Sequence, residues 1–190
     1  MVSERRLVTC NPRDAFIKQQ VRSDYCAVYA SATLLSLCGR RTTKSSALRI
    51  FGVRRRSWTV PNRDAVKAAL ESIVGESNVA LTTRKFDSIE NVAVFCNGAL
   101  LRTPALLMTA FCRHSEYGVT AQHAFVVTKA SSGGIGIIDS LGRRPATDDV
   151  FNAWIHLPRT STRRFVVVEG ASWSMDIKSP ISVFKICGIT

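Results

Sequence analysis

A cysteine stands where a polar segment gives way to an apolar one, in the stretch QQVRSDYCAVYASATLLSLCG at residues 19–39. The pattern predicts a helix over residues 25–38, capped by Ser23 or Asp24. Cys26 would then lie in the first helical turn, where unpaired backbone N–H groups and the helix dipole lower the pKa of a thiol. Because the thiolate is the nucleophilic form of cysteine, this position predicts a reactive residue.

A nucleophilic thiol needs a base beside it, and the sequence offers three histidines. His114 lies in a predicted loop and His156 in a predicted helix, whereas His123 begins the apolar run HAFVVTK. That run is followed by the turn signal ASSGG and by GIGIID, which ends at Asp139. If the two runs pair as a hairpin about residue 131, Asp139 faces His123 at the open end. The carboxylate is expected to accept the Nδ1–H of His123 and to fix the tautomer of the ring.

Attack of a thiolate on a carbonyl group creates an oxyanion, which needs hydrogen-bond donors. The backbone N–H of Cys26 at the helix start is one predicted donor. The side-chain amide of Gln20, six residues earlier, is the other. Gln19 is the alternative to Gln20.

The order and spacing of these four residues resemble those of papain-like cysteine peptidases. The similarity is greatest to compact bacterial members, namely bacteriocin-leader peptidases and type III effector proteases with a Cys–His–Asp triad, whose hairpin resembles HAFVV…GIGIIDSLG. The resemblance implies a papain-like fold, with the nucleophile helix packed against an antiparallel sheet. It also implies that Cys26 is the nucleophile, His123 the general base, Asp139 the orienting acid and Gln20 the oxyanion donor.

The resemblance covers residues of about 16–40 and 100–140 and indicates the superfamily rather than one branch of it. Papain itself has glycine, serine and tryptophan around its cysteine, and leader peptidases usually have Cys-Gly-Pro, whereas this chain reads SDYCAVYA. The segments YCAVYASATLL and IIDSLGRRP also resemble Josephin-type deubiquitinases.

These features predict a thiol hydrolase that cleaves a peptide or isopeptide bond through a Cys26 thioester, without a metal, nucleotide or other cofactor. The expected partner is a protein or peptide substrate, including an acidic or ubiquitin-like one. Deubiquitination, deamidation and transglutamination would use the same triad and stay open as alternatives. A basic catalytic domain of this size fits a bacterial effector that acts on host proteins. The expected location is the cytoplasm, or a host cell reached through a specialised secretion system.

The surrounding elements predict an α+β fold in one domain over residues 1–190, with an irregular arm at 1–15. Three further helices are expected at TTKSSALRIFG, NRDAVKAALESIVG and FDSIENVAVFCNG. Strands are expected at ALLMTAF, HAFVVTK, GIGIID and RFVVVEG, and an edge strand at ISVFKICGI. The stretch TDDVFNAWIHL is predicted to be a helix between the third and fourth strands.

The composition gives a formal net charge of +12, which favours acidic partners. A hypothesis from another class is therefore a non-enzymatic basic module that binds nucleic acid or anionic lipid. No nucleic-acid-binding motif accompanies the charge, so nucleic acid is the less favoured partner. The apolar runs are too short and interrupted to cross a bilayer, no Sec-type signal is expected, and the six cysteines lack the CxxC spacing of a zinc site.

Overall fold

The computed structural model describes residues 10–19, 25–52, 62–116, 118–157 and 163–187. Within these ranges the helices are α1 (Pro12–Ala15), α2 (Cys26–Leu37), α3 (Lys44–Ile50), α4 (Arg63–Val74) and α5 (Ile89–Leu100). The strands are β1 (Val79–Arg84), β2 (Leu106–His114), β3 (Thr120–Ser131), β4 (Gly134–Ile138), β5 (Ala153–His156), β6 (Phe165–Val167), β7 (Trp173–Asp176) and β8 (Ile181–Ile186). The mixture of helices with an antiparallel sheet confirms the predicted α+β class. None of the described helices is long and apolar enough to cross a membrane.

The three helices predicted between residues 40 and 100 are present, and each begins at a side-chain cap. The caps are Thr43, Asn62 and Ser88, and each side chain accepts a hydrogen bond from the backbone N–H three residues later. This contact satisfies one of the N–H groups that a helix start leaves without a partner. The polar residue that precedes each of these helices in the sequence therefore stabilises the start of the helix.

The described strands form one antiparallel sheet, whose main order is β1-β8-β2-β3-β4-β5. Strand β2 is long enough to pair with two strands on the same side. Its first half pairs with β8, and its last three residues pair with β7, which in turn pairs with β6. As a result, β2 and β3 extend together beyond the ends of β8 and β4.

Each face of the sheet carries its own hydrophobic core, because successive side chains of a strand point to opposite faces. Leu107, Val126 and Phe184 pack with α2 and α4 on one face. Met108 and Phe125 pack with α5 on the other face, together with β5 and β7. Helix α2 is therefore held flat on the sheet, and its first residue lies beside β3.

Two predicted elements differ from the structure. The stretch TDDVFNAWIHL was predicted to be a helix, but its last part forms strand β5, which pairs with β4. Ala153 and Ile155 are buried while the two residues next to them are less so, which is the alternation of a strand. The C-terminal stretch is a strand, as predicted, but β8 is not at the edge, because the unpredicted β1 covers its outer side.

The N-terminal arm, predicted to be irregular, contains the short helix α1. Asn11 caps this helix through its side chain, and proline occupies the first helical position, where its missing N–H costs nothing. Residues 1–9 of the arm lie outside the described part.

The β3–β4 hairpin makes a stability prediction, because Gly134 begins β4 against a closely packed neighbour. A Cβ atom there would lie 2.3 Å from the backbone oxygen of Ile155 and 2.4 Å from the Trp154 ring. We expect Gly134→Ala to lower the free energy of unfolding by about 1–3 kcal/mol, measured by urea denaturation.

Gly133→Ala is the matched control, since a Cβ atom at Gly133 would meet nothing closer than 3.8 Å. Its expected effect is within about 0.5 kcal/mol of the wild type. Equal losses for the two variants would contradict the steric explanation.

Candidate active site

Cys26 is the first residue of α2, at the end of the helix where backbone N–H groups are unpaired. The helix cap is Tyr25, whose side chain makes no capping hydrogen bond. The predicted caps Ser23 and Asp24 lie outside the described residues. The position of the cysteine in the first turn is as the sequence predicted.

His123 lies near Cys26 because it is in the first part of β3, which starts at Thr120 and extends beyond the segment that pairs with β4. Strand β2 pairs with this extension, with Ala110 opposite His123, whereas β4 pairs with β3 only from Val126 onward. The edge of β3 at His123 is therefore not covered by β4. The start of α2 lies against this edge, so Cys26 and His123 line the same cleft. Hydrogen bonding to the His123 ring lowers the pKa of the Cys26 thiol.

Asp139 follows β4 directly and approaches His123 diagonally. The ladder ends at Val126 opposite Ile138, so Asp139 continues it opposite Phe125 rather than opposite His123. The predicted pairing of Asp139 with His123 differs from the observed one because the hairpin turns at residues 132–133 rather than about residue 131. The carboxylate still reaches the histidine, since His123 Nε2 lies 3.0 Å from Asp139 Oδ1.

This contact corrects the predicted assignment of the ring nitrogens. The sequence hypothesis had Asp139 accept a hydrogen bond from Nδ1–H of His123, whereas the nitrogen at Asp139 is Nε2. Asp139 bonds Nε2 because it lies opposite Phe125, two residues along β3 from His123. Nε2 is the ring nitrogen farther from the backbone, so it reaches the carboxylate at this distance. Nδ1 is therefore the nitrogen left for the Cys26 sulfur.

Three further donors hold Asp139 and its loop. Trp173 Nε1–H donates to Oδ2 at 2.8 Å, and the backbone N–H of Leu141 donates to Oδ1 at 3.1 Å. The side chain of Asn152 accepts from the backbone N–H of Asp139 at 2.8 Å and donates to its carbonyl oxygen at 2.8 Å. Both carboxylate oxygens are thus bonded, which a fully buried charge requires.

Sequence reasoning missed the roles of Trp173 and Asn152. The Trp173 ring stacks on Phe125, with ring centroids 5.0 Å apart. Its N–H also bonds Asp139, from a strand 34 residues away in sequence. No local signal predicts this contact; the alternation around Trp173 indicates only a strand.

These contacts shift the pKa values of Cys26, His123 and Asp139. Burial alone would raise the pKa of the Cys26 thiol, but the hydrogen bond and charge of His123 and the N–H groups of Ala124 and Ala27 outweigh it, so this pKa is lowered. Burial would lower the pKa of His123, but hydrogen bonds to Asp139 and Cys26 raise it above its usual value. Burial opposes ionisation of Asp139 as well, yet the bonds from His123 and Trp173 lower the pKa of that carboxyl. The arrangement favours a thiolate beside an imidazolium.

The other cysteines differ from Cys26. All six are free thiols. Burial raises the pKa of Cys38 to about 11 and that of Cys96 to about 12. Burial, with the negative charge of Asp139, also raises the pKa of Cys112. A thiol reagent near neutral pH should therefore distinguish Cys26 from these three.

A narrow cleft leads to Cys26, which is 9% exposed. The volume of this cleft is about 20 Å³. The lining residues come from α2, α4, β2 and β3: Cys26, Ala27, Arg63, Val66, Thr109, Gln122, His123 and Ala124.

The two glutamines proposed as oxyanion donors have different outcomes. Gln20 lies outside the described residues, so its role stays a prediction. Gln19 is buried, and its Oε1 accepts a hydrogen bond from Ser140 Oγ at 2.8 Å. Gln19 thus fastens the segment before α2 to the loop that carries Asp139.

The other two histidines do not contact Cys26. His114 lies edge-on to His123, with ring centroids 5.6 Å apart, and burial lowers its pKa. His156 lies on β5 rather than on the predicted helix and pairs with Glu169. Within the described part of the chain, no cluster of three or more His, Cys, Asp or Glu residues is arranged to hold a metal ion.

Comparison with known proteins gives no relative from which a role could be transferred: no protein-family model matches the chain, and no curated protein is significantly similar to it.

The bond from Trp173 to Asp139 makes a prediction about stability. Trp173→Phe removes a hydrogen bond to a buried carboxylate, and we expect a loss of about 1.5–3 kcal/mol in the free energy of unfolding at pH 7. The bond stabilises the ionised form of Asp139, whose folded-state pKa is lowered from 3.8. Its contribution is present above that value and is lost as the pH falls through the folded-state pKa. The difference in the free energy of unfolding between variant and wild type should therefore narrow only below about pH 4. Urea titrations at several pH values measure this difference.

Trp154→Phe serves as the control, because the Trp154 ring packs on Phe151 and faces His156, and no hydrogen bond joins its side chain to a carboxylate among the described residues. Its loss of stability should not narrow below about pH 4. A deficit in Trp173→Phe that does not narrow at any pH at which the wild type still unfolds cooperatively would contradict the role assigned to the N–H group.

Proposed function

We propose that the protein is a papain-like cysteine peptidase that cleaves a peptide or isopeptide bond. One observation carries the proposal: a thiol at a helix start, with a lowered pKa, bonds to a buried histidine that is oriented by a buried carboxylate. A cysteine that served only for packing would have its pKa raised by burial, as at Cys96.

The mechanism uses the ion pair directly. The Cys26 thiolate attacks the carbonyl carbon of the scissile bond, and the backbone N–H of Cys26 donates to the oxygen that becomes negative. The resemblance to papain-like peptidases adds the amide of Gln20 as a second donor. As the tetrahedral intermediate collapses, the imidazolium of His123 protonates the leaving amine, and a thioester with Cys26 remains.

The second half of the cycle returns the site to its starting state. His123, now neutral, takes a proton from water as the water oxygen attacks the thioester carbonyl. The C–S bond breaks, the carboxylic acid product leaves, and the thiolate and imidazolium are restored. Asp139 keeps the ring in one orientation through both steps, since its bond to Nε2 leaves Nδ1 facing the sulfur.

The fold supports the same proposal. A helix that carries the nucleophile packs on an antiparallel sheet that carries the base, and this is the arrangement that papain-like enzymes use. Deubiquitination would be a special case of the reaction, whereas deamidation or transglutamination would differ in the group that leaves or attacks. Product analysis by mass spectrometry separates these three outcomes.

The basic binding module is the weaker alternative. The net charge of +12 supports it, but charge alone gives no reason for a buried ion pair beside a cleft. Such a pair must overcome the cost of removing two charges from water.

Alkylation by iodoacetamide tests the proposal. Because the thiolate is the reacting form and the pKa of Cys26 is lowered, we expect Cys26 to be labelled rapidly at pH 6. His123→Ala removes the hydrogen bond and the positive charge that lower this pKa, so the pH–rate profile should move to higher pH. Because a pKa that is higher by about one leaves about a tenth of the thiolate, labelling at pH 6 should fall by about tenfold or more. The rates are followed by mass spectrometry of the labelled peptide.

Cys112 is an internal control, because it is fully buried and its pKa is raised. It should stay unlabelled in both proteins. Equally slow labelling of Cys26 in wild type and His123→Ala would refute the peptidase proposal, and salt-sensitive binding to RNA or anionic vesicles would then favour the basic module.

A further inference from the structure

Arg63 lies in the same cleft as the nucleophile, and the reaction described above gives it no role. It is the first residue of α4, and it lines the cleft with Cys26 and Gln122. Val66, one turn later on the same face of the helix, is 1% exposed and packs in the core that contains Cys26. The packing of Val66 therefore fixes Arg63 at the cleft.

The guanidinium of Arg63 is free to bind a further anion. Its ion pair within the described chain is with the adjacent Asp64, through a single contact of 3.5 Å from Nε to Oδ1. The two side chains are 48% and 78% exposed, so this pair contributes little. The terminal nitrogens of the guanidinium are not used in that contact and form the fork that matches a carboxylate.

Among the described residues, the rest of the cleft lining carries no charge that would compete for Arg63. Apart from the reacting Cys26 and His123, the lining residues are small or apolar (Ala27, Val66, Ala124) or neutral and polar (Thr109, Gln122). A substrate carboxylate near the scissile bond would be repelled by the Cys26 thiolate unless a cation were also within reach. The His123 imidazolium is already paired with Asp139 and the thiolate, so Arg63 is the cation that the described cleft lining leaves for a substrate carboxylate.

We propose that Arg63 selects substrates that carry an acidic side chain next to the scissile bond. The inference rests on the proposed function, because it needs Cys26 to be the reacting group. It narrows the substrate class from any peptide to an acidic segment of a peptide or protein.

A pair of thiol reagents that differ only in charge tests this selection. Iodoacetate and iodoacetamide react through the same displacement of iodide by a thiolate, but iodoacetate carries a carboxylate. We measure the ratio of their rates at Cys26 and divide it by the same ratio for glutathione. We expect this normalised ratio to fall by about threefold to tenfold in Arg63→Gln. It should fall further in Arg63→Glu, which places a negative charge at the cleft.

Lys67→Gln is the matched control, because Lys67 lies one turn further along α4, pairs with Glu71 and does not line the cleft. It removes the same charge from the same helix, and its ratio should equal that of the wild type. Asp64→Asn should raise the ratio slightly, since it frees Arg63. The wild-type ratio should approach the Arg63→Gln ratio as salt is added, because exposed charges are screened.

The outcomes separate the two proposals. If iodoacetamide does not react preferentially with Cys26 in any variant, the peptidase proposal fails, and the role of Arg63 fails with it. If iodoacetamide reacts equally fast with the wild type, Arg63→Gln and Lys67→Gln, the site is intact in all three proteins. Identical iodoacetate ratios in these three proteins would then overturn the selection by Arg63 and leave the peptidase proposal standing.

Discussion

The buried hydrogen bond between His123 and Asp139 is the contact on which the site depends. The two side chains are 3% and 1% exposed, and a carboxylate so deeply buried is stable only if its oxygens are bonded. The structure meets this requirement with one local donor, the Leu141 N–H in the loop after β4, and with two donors from other strands, the His123 ring on β3 and the Trp173 indole on β7. Strand β7 pairs with the far end of β2, beside the segment that pairs with His123. The extension of β2 and β3 beyond their neighbours therefore makes the site possible.

The division of the sheet into two cores explains how the third residue joins this pair. His123 lies on β3, one of the strands that contribute to both cores, and its ring is 4.9 Å from that of Trp173 on the face that also packs α5. Cys26 packs with α2 and α4 on the opposite face. The two side chains meet at the uncovered edge of β3, where the N–H of Ala124 also reaches the sulfur. Small residues at Ala27 and Ala124 let the helix start approach this edge closely.

The sequence predicted the parts of this arrangement that carry a local signal. Cys26 was recognised because a helix start has a composition of its own, and His123 and Asp139 because a hairpin keeps them close in sequence. The nitrogen assignment failed because it depended on the register, in which Asp139 continues the ladder opposite Phe125, two residues from the predicted position opposite His123. Strands β1 and β7 were missed because their partners, β8 and β2, are distant in sequence. Strand β5 was misread because a four-residue alternation is too short to compete with the helix-like residues before it.

Folding alone does not require the buried ion pair of His123 and Asp139. A buried ion pair can often be replaced by apolar residues of similar volume without loss of stability. The lowered pKa of Cys26 and the raised pKa of His123 are two descriptions of one coupled equilibrium, in which the proton resides on the ring while the sulfur is ionised. Below the interval between the two apparent pKa values the sulfur is protonated, and above it the ring has no proton to give to a leaving group. The width of that interval depends on Asp139, since its charge holds the proton on the ring, and so on the donors that keep Asp139 ionised.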